Sequence, residues 1–233
     1  MAAKTVGPAA TRFMCALVIL QAVKEDLLPG AEEHPEIIWD PTAKLMDRIE
    51  AGETADGIFA IDNSISKLAE RGIVEPDSIL PLVQAEFGIA IAPGMDTPPL
   101  RDADDLVALL LSVPNLCYSR AGASGIYFES LIDRLGIGDA VRSKAMVIPA
   151  GLTAEQAASG RAAIAIQQMS ELRAVEGVTI AGPLPPDCQQ TTDFSAALFS
   201  QADNRDGARK FIELLSSSRA RSSYENRGLK LRF

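Results

Sequence analysis

Apolar and polar positions along the chain alternate between two periods. Short apolar runs bounded by Gly, Pro, Asp or Asn predict strands at residues 4–6, 36–39, 57–61, 88–92, 115–118, 146–148, 162–166, 178–181 and 195–199. Between them, apolar residues recur at helical spacing and predict helices over 12–28, 43–51, 64–71, 103–111, 125–135, 154–159, 168–174 and 205–217. Strands alternating with helices imply an α/β protein with parallel sheets covered on both faces. Sheets of this kind bind ligands where loops leave the carboxyl ends of the strands.

The punctuation between these runs carries its own signals. Asp40-Pro41-Thr42 opens one helix, with Thr42 as its N-cap, and Thr153 followed by Gln156 reads as a capping box. Gly125 begins a helix after Ala123-Ser124. Pro93-Gly94-Met95-Asp96-Thr97-Pro98-Pro99 and Gly182-Pro183-Leu184-Pro185-Pro186 are loops.

Composition narrows the function. At 233 residues the chain is long enough for two lobes of roughly 100 residues each. A net charge of -9 excludes a nucleic-acid partner, because phosphate binding needs a dense basic face. An acidic protein that binds an anion must do so locally, with backbone N–H groups or a few placed arginines. Cys15, Cys117 and Cys188 are far apart and His34 is the sole histidine, so neither metal nor cofactor is expected. Cys15 reads as a small buried hydrophobe. Lys4 and Arg12 precede an apolar run at 13–20 that is too short to span a membrane and continues its helical pattern to Leu28 without a clear cleavage site. A cytoplasmic chain is expected, the alternative being a periplasmic one whose signal has been removed.

Two stretches resemble the molybdate-type branch of the periplasmic solute-binding proteins. One is Leu45-Met46-Asp47-Arg48-Ile49-Glu50-Ala51-Gly52-Glu53-Thr54-Ala55-Asp56-Gly57-Ile58-Phe59-Ala60, and the other is Tyr118-Ser119-Arg120-Ala121-Gly122-Ala123-Ser124-Gly125-Ile126-Tyr127-Phe128. Ala165-Ile166-Gln167-Gln168-Met169-Ser170-Glu171-Leu172 and Gly182-Pro183-Leu184-Pro185 are similar to a divergent subset of that family, one member type of which is aconitate isomerase. The resemblance implies a two-lobed type II fold, with two mixed sheets flanked by helices and a hinge of two crossing strands. Residues 1–82 plus 192–233 would form lobe 1 and residues 83–191 lobe 2. The ligand would sit between helix N-termini from both lobes. Carried onto this chain, its contacts would be Ala10, Thr11 and Arg12, then Thr42, Ala43 and Asp62, then Arg120, Ala123, Ser124, Gly125, Thr153 and Gln167.

The chain departs from the molybdate pattern in its loops. Where that family carries serines, this chain reads Gly7-Pro8-Ala9-Ala10-Thr11-Arg12 and Asp40-Pro41-Thr42-Ala43. Pro41 has no N–H to give, Asp40 would repel a dianion, and Gln167 replaces a tyrosine. Arg12 and Arg120 suit carboxylate instead, since a guanidinium forks onto carboxylate oxygens. Each residue also has a plainer reading: Arg12 as a solvated first-turn residue, Ala123 to Gly125 as a cap and turn, Tyr127 as core, and one of Gln167 and Gln168 as packing.

The expectation is therefore a monomer that binds a small anion, a di- or tricarboxylate or an oxyanion, between its lobes, with an ABC transporter permease as partner only if it is exported. The alternative is a cofactor-independent isomerase of a small unsaturated polycarboxylate, with Asp40, Asp62 and Tyr127 as candidate bases.

Overall fold

The computed structural model describes residues 10–233; the strand expected at 4–6 and the loop residues Gly7, Pro8 and Ala9 lie outside the described residues. The chain begins with β1 (Arg12–Cys15), a 3-10 turn (Leu17–Ile19) and a π-helical turn (Ala22–Leu27). Next come β2 (Glu36–Trp39), α1 (Thr42–Glu50), β3 (Gly57–Ile61), α2 (Asp62–Glu70) and the long β4 (Leu80–Ile91). The middle of the chain forms α3 (Ala103–Ser112), β5 (Leu116–Ser119), α4 (Ala123–Arg134), α5 (Gly138–Arg142), β6 (Ala145–Ile148) and α6 (Ala154–Ala158). It continues through β7 (Ile164–Gln168), α7 (Met169–Arg173), β8 (Thr179–Pro183) and β9 (Thr191–Leu198). The end is α8 (Arg205–Leu215), α9 (Ser218–Asn226) and β10 (Lys230–Leu231).

The first helix expected from the sequence starts too early. Arg12–Cys15 is a strand, paired in parallel with both β2 and β3, and helical structure begins only at Leu17. Phe13, Met14 and Cys15 are all fully buried because neighbouring layers cover both faces of this strand. A strand buried on both sides reads as a continuous apolar run, which periodicity cannot separate from a buried helix. Cys15 is the buried hydrophobe expected, and burial pushes its thiol well above the ordinary cysteine value.

The strands form one path, β2-β1-β3-β9-β4-β7-β5-β6, with β8 and β10 also paired to β4. β4 joins two sheets: its first half pairs with β9 and β10, its second half with β7 and β8. Strands β1, β2 and β3 are parallel to one another, as are β5, β6 and β7, while β4 and β9 run antiparallel to their neighbours.

The apolar cores follow the same division. One set joins Phe13, Cys15, Phe59 and Leu82 to Phe194, Phe211 and Tyr224, with a second cluster around Met14, Leu45, Ile58 and Phe199. The other joins Phe87, Leu106, Tyr118, Phe128 and Ile166, with Ala90, Ala157 and Leu172 on its far face. No helix of the described residues is long and apolar enough to cross a membrane.

Two expected caps are replaced by other contacts. Pro41 occupies the cap position of α1, Thr42 is its first helical residue, and the Thr42 hydroxyl accepts from the Ile61 N–H at 3.4 Å. Thr153 makes no side-chain cap on α6 and is itself helical in conformation; its hydroxyl donates to the Ile166 carbonyl and meets Gln167 Oε1.

Candidate ligand cleft

Parallel pairing sends the carboxyl ends of β1, β2 and β3 to one edge, where Leu17–Ile19, α1 and α2 begin. In the other half, β5 pairs in parallel with β7, Cys117 opposite Ala165, so Ser119 and Gln168 end at one edge and lead into α4 and α7. The turn Leu17–Ile19 packs against α7, so the two edges face each other. A cavity of about 610 Å³ opens between the halves, lined by Ile61, Asp62 and Asn63 on one side and by Ala123, Ile126 and Tyr127 on the other. The paired strands β4 and β9 close its back through Phe87, Thr192 and Asp193.

The first turns of α2 and α4 therefore open on one space. The leading N–H groups of a helix lack intrahelical partners and carry the positive end of its dipole. At α4 the approach is close: an added Cβ on Gly125 would lie 1.6 Å from the Ser119 carbonyl oxygen. The small residues of the Ala123-Ser124-Gly125 run thus seat the helix on the end of β5. Gly122 N–H donates to Ser119 Oγ at 3.2 Å and fixes the same turn. Arg120 is exposed just before it; its main-chain N–H donates to Ile148, and its guanidinium has no hydrogen bond or ion pair among the described residues.

The candidate bases are engaged. Asp62 accepts from Ser195 Oγ at 2.7 Å and pairs with Arg232 at 2.9 Å. Asp40 accepts from Arg48 at 2.8 Å. Tyr127 stacks on Phe87 and donates its hydroxyl to the Cys188 carbonyl at 2.7 Å. Ala43 is exposed on α1. Gln167 is buried and consumed locally: Oε1 accepts from Thr153 N–H at 2.7 Å and Nε2 donates to Gly151 at 2.9 Å.

Three expected contacts stand at the wrong end. Ala10, Thr11 and Arg12 lie at the amino end of β1, away from the edge that carries Leu17–Ile19. The Arg12 guanidinium donates to Glu53 and to the Thr54 carbonyl, both at 3.1 Å, and lies 3.7 Å from Glu36. Thr11 Oγ1 accepts from Asn204, and Ala10 and Thr11 border a separate cavity with His34 and Lys210. The cause is the register of the first element: a strand at Arg12–Cys15 moves the ligand-side turn on to Ala16 and Leu17.

Comparison with known proteins places the chain. The model of the family described as bacterial extracellular solute-binding protein matches residues 30–230. The chain belongs to that family. A relative from a Pseudomonas species, named aconitate isomerase, is 30% identical over 192 residues, covering 82% of this chain and 73% of the relative. Among solved structures, the periplasmic molybdate-binding protein of Azotobacter vinelandii superposes with a TM-score of 0.78 at 16% identity, over 96% of this chain and all of that one. The periplasmic binding protein AfuA of Actinobacillus pleuropneumoniae, with fructose-6-phosphate bound, gives 0.70 at 13% identity, over 95% and 84% of the two chains. The type II, two-lobed binding-protein fold expected from the sequence is the fold observed.

Within this solute-binding protein, sequence reasoning weighed Gln168 but missed the two polar residues beside it, Ser170 and Glu171. Gln168, Ser170 and Glu171 are all buried, and Gln168 Oε1 and Ser170 Oγ have no hydrogen-bond partner among the described residues. Burial raises the Glu171 carboxyl from its ordinary 4.5 to about 7, against the lowering pull of the Gln168 backbone and the Gln167 side chain. Gln168 is the N-cap of α7, so Glu171 occupies the third helical position, from which a carboxylate reaches back to the cap N–H. The available signal was four polar residues in five, Gln167 to Glu171, placed directly after the apolar strand Ile164-Ala165-Ile166.

Proposed function

We propose that this solute-binding protein captures a small polycarboxylate between its two halves, which act as lobes of 1–82 plus 192–233 and of 83–191 and close on the ligand about β4 and β9. The observation that carries the reading is the shared cavity onto which the first turns of α2 and α4 both open. Helix N-termini attract anions, and the unpaired Arg120 guanidinium adds a fork suited to carboxylate. A carboxylate is favoured over a tetrahedral oxyanion for two reasons. The turns after β1 and β2 supply Ala16, Leu17 and Pro41 in place of a ring of hydroxyls. The relative at 30% identity is named for a tricarboxylate.

A thermal-shift screen across molybdate, sulfate, phosphate and di- and tricarboxylates tests the reading. A ligand at 100 times its dissociation constant adds about 2.7 kcal/mol to stability. Carboxylates, aconitate among them, are expected to give the largest shift; a clear preference for molybdate overturns the proposal.

The Pseudomonas relative also supports a second reading, in which the bound polycarboxylate is isomerised by proton transfer without a cofactor. Proton NMR of cis- or trans-aconitate incubated with the pure protein tests it, and an unchanged spectrum at a concentration that shifts the melting transition overturns it. Delivery to an ABC transporter permease belongs to the binding reading alone and requires export.

A further inference from the structure

The cluster at the end of β7 is costly as it stands. Two buried polar atoms, Gln168 Oε1 and Ser170 Oγ, are left without partners among the described residues, and a carboxyl is buried beside them. An unsatisfied buried polar atom calls for a structural or functional reason. The elements packed on α7 supply no cation for Glu171. The facing turn is Leu17, Val18 and Ile19; β7 and β8 carry no charge; and the one charge on β4, Glu86, is held by Lys230. On α7 itself, Arg173 turns away and donates to the Asn226 carbonyl at 3.1 Å.

The position of the cluster is the second observation. Gln168 ends β7 on the same edge as Ser119 ends β5, next to the Arg120 to Gly125 turn. The cluster faces the turn that follows β1, so it lies on the line where the two halves meet. None of Gln168, Ser170 and Glu171 is among the residues lining the open cavity, so a ligand reaches them only where α7 parts from the facing turn. A carboxylate seated there would accept from the Ser170 hydroxyl and so satisfy one of the two orphaned groups.

We infer that Glu171 is the acid–base residue of this cleft, moving a proton between two carbons of a bound unsaturated polycarboxylate. The inference rests on the isomerase reading above. In the step, the Glu171 carboxylate takes a proton from the methylene flanked by a carboxylate and the double bond. That C–H electron pair becomes the new double bond, and the old π pair moves to the far alkene carbon. Glu171 returns its proton there. One C–H bond breaks and one forms, and nothing is oxidised or lost. A group that must both take and give a proton works best when its two forms are balanced near the working pH, which burial arranges here. The other carboxylates and the phenol near the cleft are tied to Arg232, Arg48 and the Cys188 carbonyl.

Glu171→Gln is the test, because glutamine at the third helical position also completes the cap and so keeps α7 intact. The readouts are proton NMR of cis-aconitate in deuterated water, for isomerisation and for deuterium entry at carbon, and the thermal shift given by trans-aconitate. The expected result is a loss of at least about 100-fold in both NMR rates with the thermal shift retained. The wild-type rate should also bend near neutral pH. Glu171→Gln turnover within about fivefold of wild type overturns the inference alone. Loss of the thermal shift together with turnover also overturns it, making Glu171 a binding residue. Wild-type protein that binds aconitate but neither isomerises nor exchanges it overturns the isomerase reading and this inference together, leaving the binding reading intact.

Discussion

Gly125 and Ser119 are in such close register that the first turn of α4 rests on the last carbonyl of β5, with no room for a methyl group between them. The obstacle is main chain: the Ser119 carbonyl oxygen and carbon would lie 1.6 and 2.8 Å from an added Cβ. At Gly122 the nearest atom to such a Cβ is the Ser119 hydroxyl, at 2.5 Å, which can rotate away. The same turn therefore holds one glycine that cannot be replaced and one that can.

Gly125→Ala is expected to displace the start of α4. Overpacking of this kind costs about 1–3 kcal/mol, and the shifted N–H groups should abolish ligand-induced stabilisation. Urea unfolding and a thermal-shift titration with aconitate measure the two effects. Gly122→Ala should retain most of both. Equal behaviour of the two variants would show that the contact does not position the site.

Arg120 and Arg12 should respond in opposite ways. Arg120 has no partner to lose, so Arg120→Ala should leave the unliganded melting temperature unchanged and weaken carboxylate binding by about 10- to 100-fold, the scale of a charged hydrogen bond. Arg12→Ala breaks contacts with Glu53 and Thr54 at the amino end of β1, so it should lower stability and leave affinity alone. Calorimetric titration of both variants separates these outcomes.

The contrast shows where the sequence was readable. The α/β alternation and the strands at 36–39 and 57–61 were legible because buried apolar runs are bounded by turn residues, and Gly122 to Gly125 stood out as a small-residue entry to a helix. Arg12 was misplaced because a strand buried on both faces, Phe13-Met14-Cys15, has the same apolar content as a helix core, and moving one boundary carried the whole loop to the far end of the sheet. Glu171 was illegible for another reason. The local run of polar residues does not show that its carboxyl is buried; that burial comes from α7 packing against β4, β7, β8 and the turn Leu17–Ile19, the last some 150 positions away.

Gln167 and Gln168 are neighbours with opposite roles, and substitution should reveal it. Gln167→Leu strands the buried Thr153 N–H and the Gly151 carbonyl, which should cost about 2 kcal/mol or more. Gln168→Leu removes an oxygen that already has no partner and should not destabilise the unliganded protein, while loss of the amide N–H donors should reduce carboxylate affinity. Denaturation midpoints of the two variants, compared with their ligand-induced shifts, decide this. A Gln168→Leu loss as large as that of Gln167→Leu would mean that the Gln168 side chain is held in the folded state.

The pH dependence of stability should carry the mark of Glu171. Its carboxyl is raised from the ordinary 4.5 to about 7 by burial, so as pH rises the unfolded chain releases this proton first and the folded chain holds it longer. Between those values the folded state binds more protons, and stability falls with rising pH. The contribution is neutral below about pH 4 and reaches its full cost above about pH 8, where the difference corresponds to about 3 kcal/mol. Glu171→Gln removes the charge and keeps the cap, so it should be the more stable protein at pH 8 and match wild type at pH 4. Other groups titrate across the same range, but they are common to both proteins and cancel in the difference. Urea midpoints at pH 4, 6 and 8 supply that difference, and a flat line across the three would mean that Glu171 ionises in contact with water.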